Sequence, residues 1–225
     1  MAPSILVLGA TGVSGLAFIQ VALSEPTPPK LTLYVRSRNK LPDGIEARAR
    51  VVEGALTDEA ALRDAMDGVD SVVSFLGAYV SFSAFVFRTK TTPIADSFKV
   101  VIAAMKAKGV TRILALSTPS FSPVPETFSL GWSLYGAIPK VAVPQGNAEM
   151  VAIAETVAAE HDLDWTIFRV PHLTEEGADL PVWAGLLGPE YKGSKSLSRA
   201  SMARWVLREI DERAWVKGAP ALGNY

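Results

Sequence analysis

The sequence predicts an α/β protein whose doubly wound, mostly parallel sheet carries helices on both faces. Short apolar runs rich in β-branched residues recur along the chain, and each is followed by a stretch with helical spacing. Runs that are apolar on both faces suit strands of a parallel sheet covered by helices. With 225 residues, 49% of them hydrophobic, the chain can bury a substantial core. We therefore expect one domain spanning residues 1–225.

Six strands and five helices follow from these patterns. The predicted strands cover residues 5–8, 31–35, 50–52, 71–76, 113–116 and 165–170. The predicted helices cover residues 13–23, 59–66, 93–108, 147–161 and 201–213. Their alternation is that of βαβ units.

Two stretches, at about 78–92 and 119–146, interrupt this alternation. The first is rich in aromatic residues, and the second combines aromatic residues with several prolines. Long irregular stretches inside a compact domain are often functional. Both follow predicted strands, and open α/β sheets bind ligands at the carboxyl ends of their strands. We predict that both stretches lie on the substrate side.

The stretch "GATGVSG" places Gly9, Gly12 and Gly15 directly after the first predicted strand and at the start of a helix. Glycines allow a tight turn and close approach of the backbone, and a helix N-terminus offers free N–H groups to a pyrophosphate. The strand before and the helix after give the motif its context. The pattern predicts a dinucleotide-binding loop.

The end of the second predicted strand indicates the cofactor. It carries Arg36, Arg38 and Lys40, and no carboxylate follows until Asp43. An acidic residue here favours NAD, whereas arginine accommodates the 2′-phosphate of NADP through its planar fork. We predict NADP(H), with Arg36 as the first candidate and Arg38 as the second. The alternative is a solvated basic turn.

Composition excludes several other functions. The 22 basic and 23 acidic residues give a net charge of −1, which argues against nucleic acid or an anionic membrane as partner. Cysteine is absent, and two histidines with scattered carboxylates predict no metal site. No apolar run approaches the ~20 residues of a membrane span. The opening residues lack a basic leader. We expect a soluble, cytoplasmic protein, as a monomer or a homodimer.

The sequence resembles the atypical short-chain dehydrogenase/reductase superfamily over nearly its whole length. The resemblance rests on "GATGVSG", "YVRSRNKLP", "VVEGALTD", "VVIAAMKAKGVTRILALST" and "DWTIFRVPHL". The arrangement is most similar to the NmrA-like proteins and to the flavin reductase/biliverdin reductase B-like branch. The resemblance implies a single Rossmann domain.

The resemblance also implies roles for individual residues. The residues implied to surround the pyrophosphate are Gly9, Thr11, Gly12, Val13 and Gly15. Ala55 and Leu56 are implied to flank the adenine, and Leu76 and Gly77 to flank the nicotinamide-side ribose. Ser117 is implied to lie near the reacting group, and the backbone of Pro171 and His172 to face the nicotinamide carboxamide. Relatives often have aspartate where this chain has Ala55. An adenine hydrogen bond is then lost.

Most oxidoreductases of this superfamily use a Tyr-x-x-x-Lys pair, whose spacing puts both side chains on one helix face. Tyr135 and Lys140 are five residues apart, and Pro139 between them would break a helix. If Glu149 matches the glutamate that often follows the lysine in relatives, Gln145 occupies the lysine position and Val141 that of the tyrosine. We predict that the pair is absent. The alternative is that Tyr135 reaches the site from an irregular loop.

Without the pair, hydride can still pass from an oriented nicotinamide to a conjugated acceptor. We therefore predict an NADPH-dependent reductase of a flat, hydrophobic small molecule of the flavin, quinone or enone type. The candidate catalytic residues are Ser117, Tyr135 and His172, and the candidate substrate contacts are Tyr79, Phe121, Trp132 and Tyr135. Any of these aromatic residues can instead belong to the core. Two other functions stay open, namely a non-redox isomerase or cyclase and an NmrA-like redox-sensing regulator.

Overall fold

The computed structural model describes residues 2–77, 92–123, 126, 131–132 and 144–225. The strands are β1 (Ser4–Leu8), β2 (Lys30–Val35), β3 (Arg50–Glu53), β4 (Ser71–Ser74), β5 (Arg112–Ser117), β6 (Asp164–Arg169), β7 (His172–Thr174), β8 (Val182–Gly185), β9 (Ser196–Ser198) and β10 (Ala221–Asn224). The helices are α1 (Val13–Ser24), α2 (Glu59–Ala65), α3 (Pro93–Lys108), α4 (Pro144–Ala158) and α5 (Arg199–Glu212). Two 3₁₀ turns cover Arg38–Lys40 and Ile45–Ala47.

The main sheet has eight strands in the order β3-β2-β1-β4-β5-β6-β10-β8. All neighbours pair in parallel except β8, which runs antiparallel to β10 at the sheet edge. A separate pair of strands joins β7 to β9. The predicted fold class, a single α/β domain with a mostly parallel sheet, is confirmed. The four strands after β6 were not among the six predicted.

The helices cover both faces of the sheet because its central strands are apolar on both sides. In β1, Ile5 and Val7 pack into one core with α1 and α5. Leu6 and Leu8 point the other way, into a second core with α2, α3 and α4. All four side chains are fully buried. This double coverage explains why the strand sequence shows no alternation of polar and apolar residues.

The chain reverses its winding direction between β1 and β4. These neighbouring strands lead into helices on opposite faces, α1 after β1 and α3 after β4. Their carboxyl ends therefore diverge and open a crevice, which is where open α/β sheets bind ligands. Among the described residues, no helix is long and apolar enough to cross a bilayer.

Candidate functional site: a dinucleotide crevice

The glycine loop fits tightly against the end of β4. Gly9 has a φ of +76°, and a Cβ there would lie 2.8 Å from the carbonyl carbon of Phe75. A Cβ at Gly15 would lie 2.3 Å from the carbonyl oxygen of Gly9. The turn is closed by the Gly12 N–H, which donates to the Gly9 carbonyl at 3.0 Å. Only glycine satisfies positions 9 and 15 without moving the backbone.

The start of α1 offers donors to an anion. Gly12 is the N-cap of this helix and provides no side-chain cap, and the first turn contains no acidic residue. The first N–H groups of the helix, together with the partial positive charge of its N-terminus, form a site for a phosphate group. Val13, the first helical residue, is 58% exposed, so access from solvent is open.

A cavity of about 330 Å³ opens between the glycine loop, the ends of β2 and β3, and the start of α3. It is lined by Gly9, Thr11, Tyr34, Val35, Arg36, Gly54, Ala55, Leu56, Thr57, Leu76, Gly77, Pro93, Ile94 and Ser97. The structure thus brings together seven of the predicted cofactor residues, namely Gly9, Thr11, Arg36, Ala55, Leu56, Leu76 and Gly77. Those from the start of α3 were not predicted. The motif "TTPIADS" indicates a helix start, but nothing in it indicates the cavity.

Tyr34 shapes one wall of this cavity. Its hydroxyl donates to the Ala55 carbonyl at 2.7 Å, which holds the turn after β3 against β2. Burial, reinforced by the charge of Asp58, raises the pKa of Tyr34 to about 12. The hydroxyl is therefore a neutral donor. A Cβ at Gly54 would lie 2.3 Å from this hydroxyl, so the wall also requires a glycine there.

A second, basic pocket of about 250 Å³ adjoins the first and shares two residues with it. Its lining consists of Thr11, Arg36, Ser37 and Lys40. Arg36 is exposed and makes no hydrogen bond or ion pair within the described part of the chain. An uncommitted guanidinium and a nearby ammonium are the groups that bind a phosphate monoester. Ser37 and Lys40 add to the predicted set.

The second arginine candidate, Arg38, lies elsewhere. Its guanidinium forms an ion pair with Glu46 at 2.8 Å and approaches Glu53 at 3.5 Å. It lines neither of the two pockets. Of the two candidates, Arg36 is the one that the fold leaves available to a ligand.

The predicted reaction side lies at the end of β5. Ser117 is fully buried, and its hydroxyl donates to the Met150 carbonyl at 3.0 Å. The neighbouring Thr118 is partly exposed, and its hydroxyl lies 3.5 Å from Asn147 Oδ1. In the described conformation, Thr118 is thus the more accessible hydroxyl. The catalytic role of Ser117 stays a prediction.

Gln145 is the residue predicted to stand in place of the lysine if Glu149 matches the glutamate of relatives, and this match stays a prediction. Its Oε1 atom is buried and has no hydrogen-bond partner among the described residues. A buried acceptor without a donor is costly, about 1–3 kcal/mol, and such groups are rare in native proteins. A hydroxyl-bearing ligand would satisfy this oxygen.

The loop after β6 places Pro171 in the interior and His172 at the surface. The His172 N–H donates to the Lys195 carbonyl at 3.2 Å, as part of the pairing between β7 and β9. The exposed imidazole is accessible to a ligand. Its predicted catalytic role is not tested by this arrangement. Within the described residues, no three histidine or acidic side chains group as a metal site.

The predicted substrate contacts divide into three groups. Phe121 is 5% exposed and packs in the core beside α3 and α4. Trp132 is partly exposed, and its ring meets Tyr191 edge to face at 5.0 Å. Tyr79 and Tyr135 lie outside the described residues, as do Lys140 and Val141.

A buried ion pair that was not predicted anchors the stretch after β5. Arg169, fully buried at the end of β6, donates to both carboxylate oxygens of Glu126 at 2.6 and 3.0 Å. It also donates to the Phe121 and Ala219 carbonyls. Burial alone would raise the pKa of Glu126, but hydrogen bonds from Arg169 and from the Leu187 N–H lower it below its usual value. The carboxylate is thus held ionised.

These features define a class of protein. A six-stranded parallel core in the order 3-2-1-4-5-6, a glycine turn at the switch point and a crevice beside it are those of a Rossmann nucleotide-binding domain. The chain matches the sequence model of the NAD(P)H-binding family over residues 9–213. It belongs to that family.

Solved structures share the fold over the full length of the chain. A short-chain dehydrogenase/reductase from Veillonella parvula, solved in complex with NADP, has a TM-score of 0.76 at 18% identity, covering 100% of this chain and 95% of the other. A Rossmann-fold NAD(P)-binding protein from Shigella flexneri has a TM-score of 0.69 at 22% identity, covering 100% of this chain and 94% of the other. The anaerobillin reductase ChuY from Escherichia coli O157:H7 has a TM-score of 0.74 at 16% identity, covering 98% of this chain and 97% of the other.

The predicted relationship to NAD(P)-binding Rossmann proteins is confirmed. At these identities, the similarity to solved structures concerns the fold. The finer assignment to the NmrA-like or biliverdin reductase B-like branch stays a prediction. The family match covers binding of both NAD and NADP.

Proposed function

We propose that the protein is an NADPH-dependent reductase of a flat, hydrophobic or conjugated small molecule of the flavin, quinone or enone type. The observation that carries the proposal is the continuity of the two pockets. The cavity beside the glycine loop and the basic pocket share Thr11 and Arg36. An adenosine in the first pocket would place its ribose 2′-phosphate in the second.

The residues present fit this cofactor. Gly9 and Gly15 leave room where a side chain would collide with backbone, so a pyrophosphate can approach the start of α1. Arg36 and Lys40 would hold the 2′-phosphate, and Ala55 and Leu56 would flank the adenine. When bound, NADPH supplies a hydride. The protein's contribution is to bind and orient the two reactants, which supplies much of the rate.

The acid chemistry distinguishes this proposal from a carbonyl reductase. In this proposal Gln145 stands where the lysine would be, and its uncharged side chain cannot lower the pKa of a phenol as lysine does. An acceptor that takes its proton from solvent after hydride transfer has no need of a protein acid. The Trp132 ring, fixed against Tyr191, offers an apolar edge to such an acceptor. One structural neighbour is an anaerobillin reductase, which supports a reductase function for this fold.

A non-redox isomerase or cyclase with bound NADP(H) is the second candidate. The unpartnered Oε1 of Gln145 favours it to the extent that this oxygen binds substrate rather than cofactor. The regulator alternative has no comparable support among the described residues.

The test follows NADPH absorbance with purified protein against flavins, quinones and conjugated enones. Oxidation of NADPH with any of them supports the reductase. Tight NADPH binding without oxidation across the panel transfers support to the non-redox candidate.

Cofactor choice is tested by Arg36→Ala, with Arg208→Ala as an exposed control arginine on α5. Loss of a bidentate phosphate contact should weaken NADPH binding by roughly 10- to 100-fold. NADH binding should change little, because NADH lacks the 2′-phosphate. Equal effects on both cofactors, or none on NADPH, would remove Arg36 from the phosphate site.

A further inference from the structure

The start of α3 has an unusual cap. Its N-cap residue, Thr92, makes no side-chain cap hydrogen bond, and its first residue, Pro93, has no N–H. The Asp96 N–H already donates to the Thr92 carbonyl at 2.9 Å. The N–H groups of Ile94 and Ala95 therefore need an acceptor from outside the helix.

Glu149 of α4 is that acceptor. One of its carboxylate oxygens accepts a hydrogen bond from the Ala95 N–H at 2.7 Å, and the nearby Ile94 N–H helps to lower the pKa of the carboxyl group. The side chain is 3% exposed and comes from a position 54 residues further along the chain. A carboxylate at a helix N-terminus is also stabilised by the helix dipole. Glu149 thus caps the first turn of α3 through the Ala95 N–H.

The capped turn is a wall of the cofactor cavity. Pro93, Ile94 and Ser97 line the cavity of about 330 Å³, as do Ala55 and Leu56. A shift of this turn would therefore change the shape of the cavity. Residues 94 and 97 belong to the same turn whose backbone Glu149 holds.

Glu149 itself is held firmly. The next residue, Met150, accepts a hydrogen bond from the Ser117 hydroxyl at the end of β5. The Met150 sulfur would lie 3.3 Å from a Cβ at Gly77, so it packs against the end of β4. The start of α4 thus spans the carboxyl ends of two sheet strands and the start of α3. Glu149 therefore holds the cavity wall at the start of α3 in a fixed position relative to the sheet.

We propose that Glu149 is a positioning residue for the cofactor, which fixes the first turn of α3 as the adenine-side wall. This inference rests on the proposed cofactor site. Burial raises the pKa of Glu149, and the two backbone N–H groups oppose that effect. The ionised carboxylate is thus retained against a desolvation cost.

The experiment compares Glu149→Ala and Glu149→Gln with Glu155→Ala, an exposed residue further along the same helix. The dissociation constants of NADPH and of 2′,5′-ADP are measured by calorimetry. The exchange of the Ile94 and Ala95 amide hydrogens is followed in the protein without ligand.

Glu149→Ala should weaken both ligands about tenfold, since losing a helix cap typically costs about that factor. Glutamine keeps an acceptor oxygen at the same reach, so Glu149→Gln should recover part of the affinity. Amide exchange at Ile94 and Ala95 should accelerate in the alanine variant, while that of the central sheet does not. The Glu155→Ala protein should match the wild type in every measurement.

Unchanged ligand affinity in both Glu149 variants, with a wild type that binds NADPH, would overturn the inference. A wild type that binds neither NADPH nor 2′,5′-ADP would instead overturn the proposed function. If the alanine variant does not fold, the glutamine variant decides: unaltered affinity and unaltered exchange at Ile94 and Ala95 would count against the positioning role.

Discussion

Two arginine–glutamate pairs are buried at opposite ends of the central strands. We call the side of the sheet where the parallel strands begin its amino edge, and the side where they end its carboxyl edge. Arg112 and Glu209 meet at 2.9 Å, with side chains 3% and 2% exposed. Arg169 and Glu126 meet at 2.6 Å, with side chains 0% and 12% exposed. The chemistry of the two pairs is the same, but the elements that they join are different.

The first pair lies at the amino edge, away from the crevice. Arg112 begins β5, and it donates to the Thr166 hydroxyl and the Asp164 carbonyl on β6, each at 2.8 Å. Glu209, in the last turns of α5, also accepts from the Trp215 N–H at 2.9 Å. This pair fixes a helix to the sheet. Its consequences are confined to stability.

The second pair lies at the carboxyl edge, where ligands bind in this fold. Arg169 ends β6, and Glu126 belongs to the stretch that leads toward Trp132. Glu126 also accepts from the Leu187 N–H at 2.7 Å. This pair therefore fixes two irregular segments beside the proposed substrate. The comparison predicts that the position of an ion pair along its strand, and not the pair itself, decides whether function depends on it.

The largest effect is expected from Glu209→Ala. Removal of Glu209 leaves the Arg112 charge buried without its ionic partner, which should lower the free energy of unfolding by about 3–5 kcal/mol. The NADPH affinity of the folded protein should stay within twofold of the wild type. Urea unfolding measures the stability, and calorimetry measures the NADPH affinity.

The double variant R112M/E209L should regain most of the stability, since an apolar pair can replace a buried ionic one. Weaker NADPH binding in either variant would contradict the proposed contrast between the two edges.

Glu126→Ala should combine a smaller loss of stability with a loss of function. The Glu126 side chain is 12% exposed and that of Glu209 2%, so the charge of Arg169 is less completely buried without its partner, and the cost should be about 2–3 kcal/mol. The segment leading to Trp132 loses its anchor. We expect kcat/KM for the acceptor to fall about tenfold, which corresponds to a modest misplacement of substrate. NADPH affinity should change less than the acceptor kinetics. Equal losses for cofactor and acceptor would show that the carboxyl-edge pair does not act locally.

The core of the fold was predictable from local pattern. All six predicted strands and five predicted helices exist, with ends that differ by at most a few residues. The fourth helix starts at Pro144 and ends at Ala158, three residues earlier than predicted at each end. The four missed strands are three or four residues long, and their pairing partners are distant in the chain. Such strands exist because of tertiary pairing, for which a local pattern contains no information.

The cofactor site was predictable only in part, for the same reason. The glycine spacing and the basic end of β2 identify Gly9 and Arg36, because these residues act within one βαβ unit. The cavity wall at Pro93 depends on Glu149, and the anchoring of Glu126 depends on Arg169. Both are contacts over more than 40 residues. No spacing rule connects such partners.

The two carboxylates near the carboxyl edge should respond to pH in opposite directions. The folded-state pKa of Glu126 lies below its ordinary value of 4.5, so its contribution to stability exists above about pH 4.5 and is lost as the pH falls through the folded-state pKa. The pKa of Glu149 is raised, so its protonation as the pH falls toward 4.5 favours the folded state.

Unfolding free energies measured between pH 7 and pH 3 test this contrast. Glu126→Gln should lose less stability on acidification than the wild type, and Glu149→Gln should lose more. Shifts of the same sign in both variants would contradict the assignment.

The smallest effect is expected at Tyr191, which holds Trp132 in place. Its hydroxyl is buried and has no hydrogen-bond partner in the described part of the chain, and burial raises its pKa above the ordinary value. Phenylalanine keeps the ring contacts with Trp132 at 5.0 Å and Trp183 at 6.5 Å. Since an unsatisfied buried hydroxyl is costly, Tyr191→Phe should raise the free energy of unfolding by about 1 kcal/mol.

Tyr191→Leu serves as the matched variant, because it removes the hydroxyl together with the ring edges. It should lower stability by about 1 kcal/mol and weaken acceptor binding, since edge-to-face ring pairs contribute about that much. Chemical denaturation should show the highest free energy of unfolding for Tyr191→Phe, followed by the wild type and then by Tyr191→Leu. A phenylalanine variant less stable than the wild type would mean that the hydroxyl has a partner.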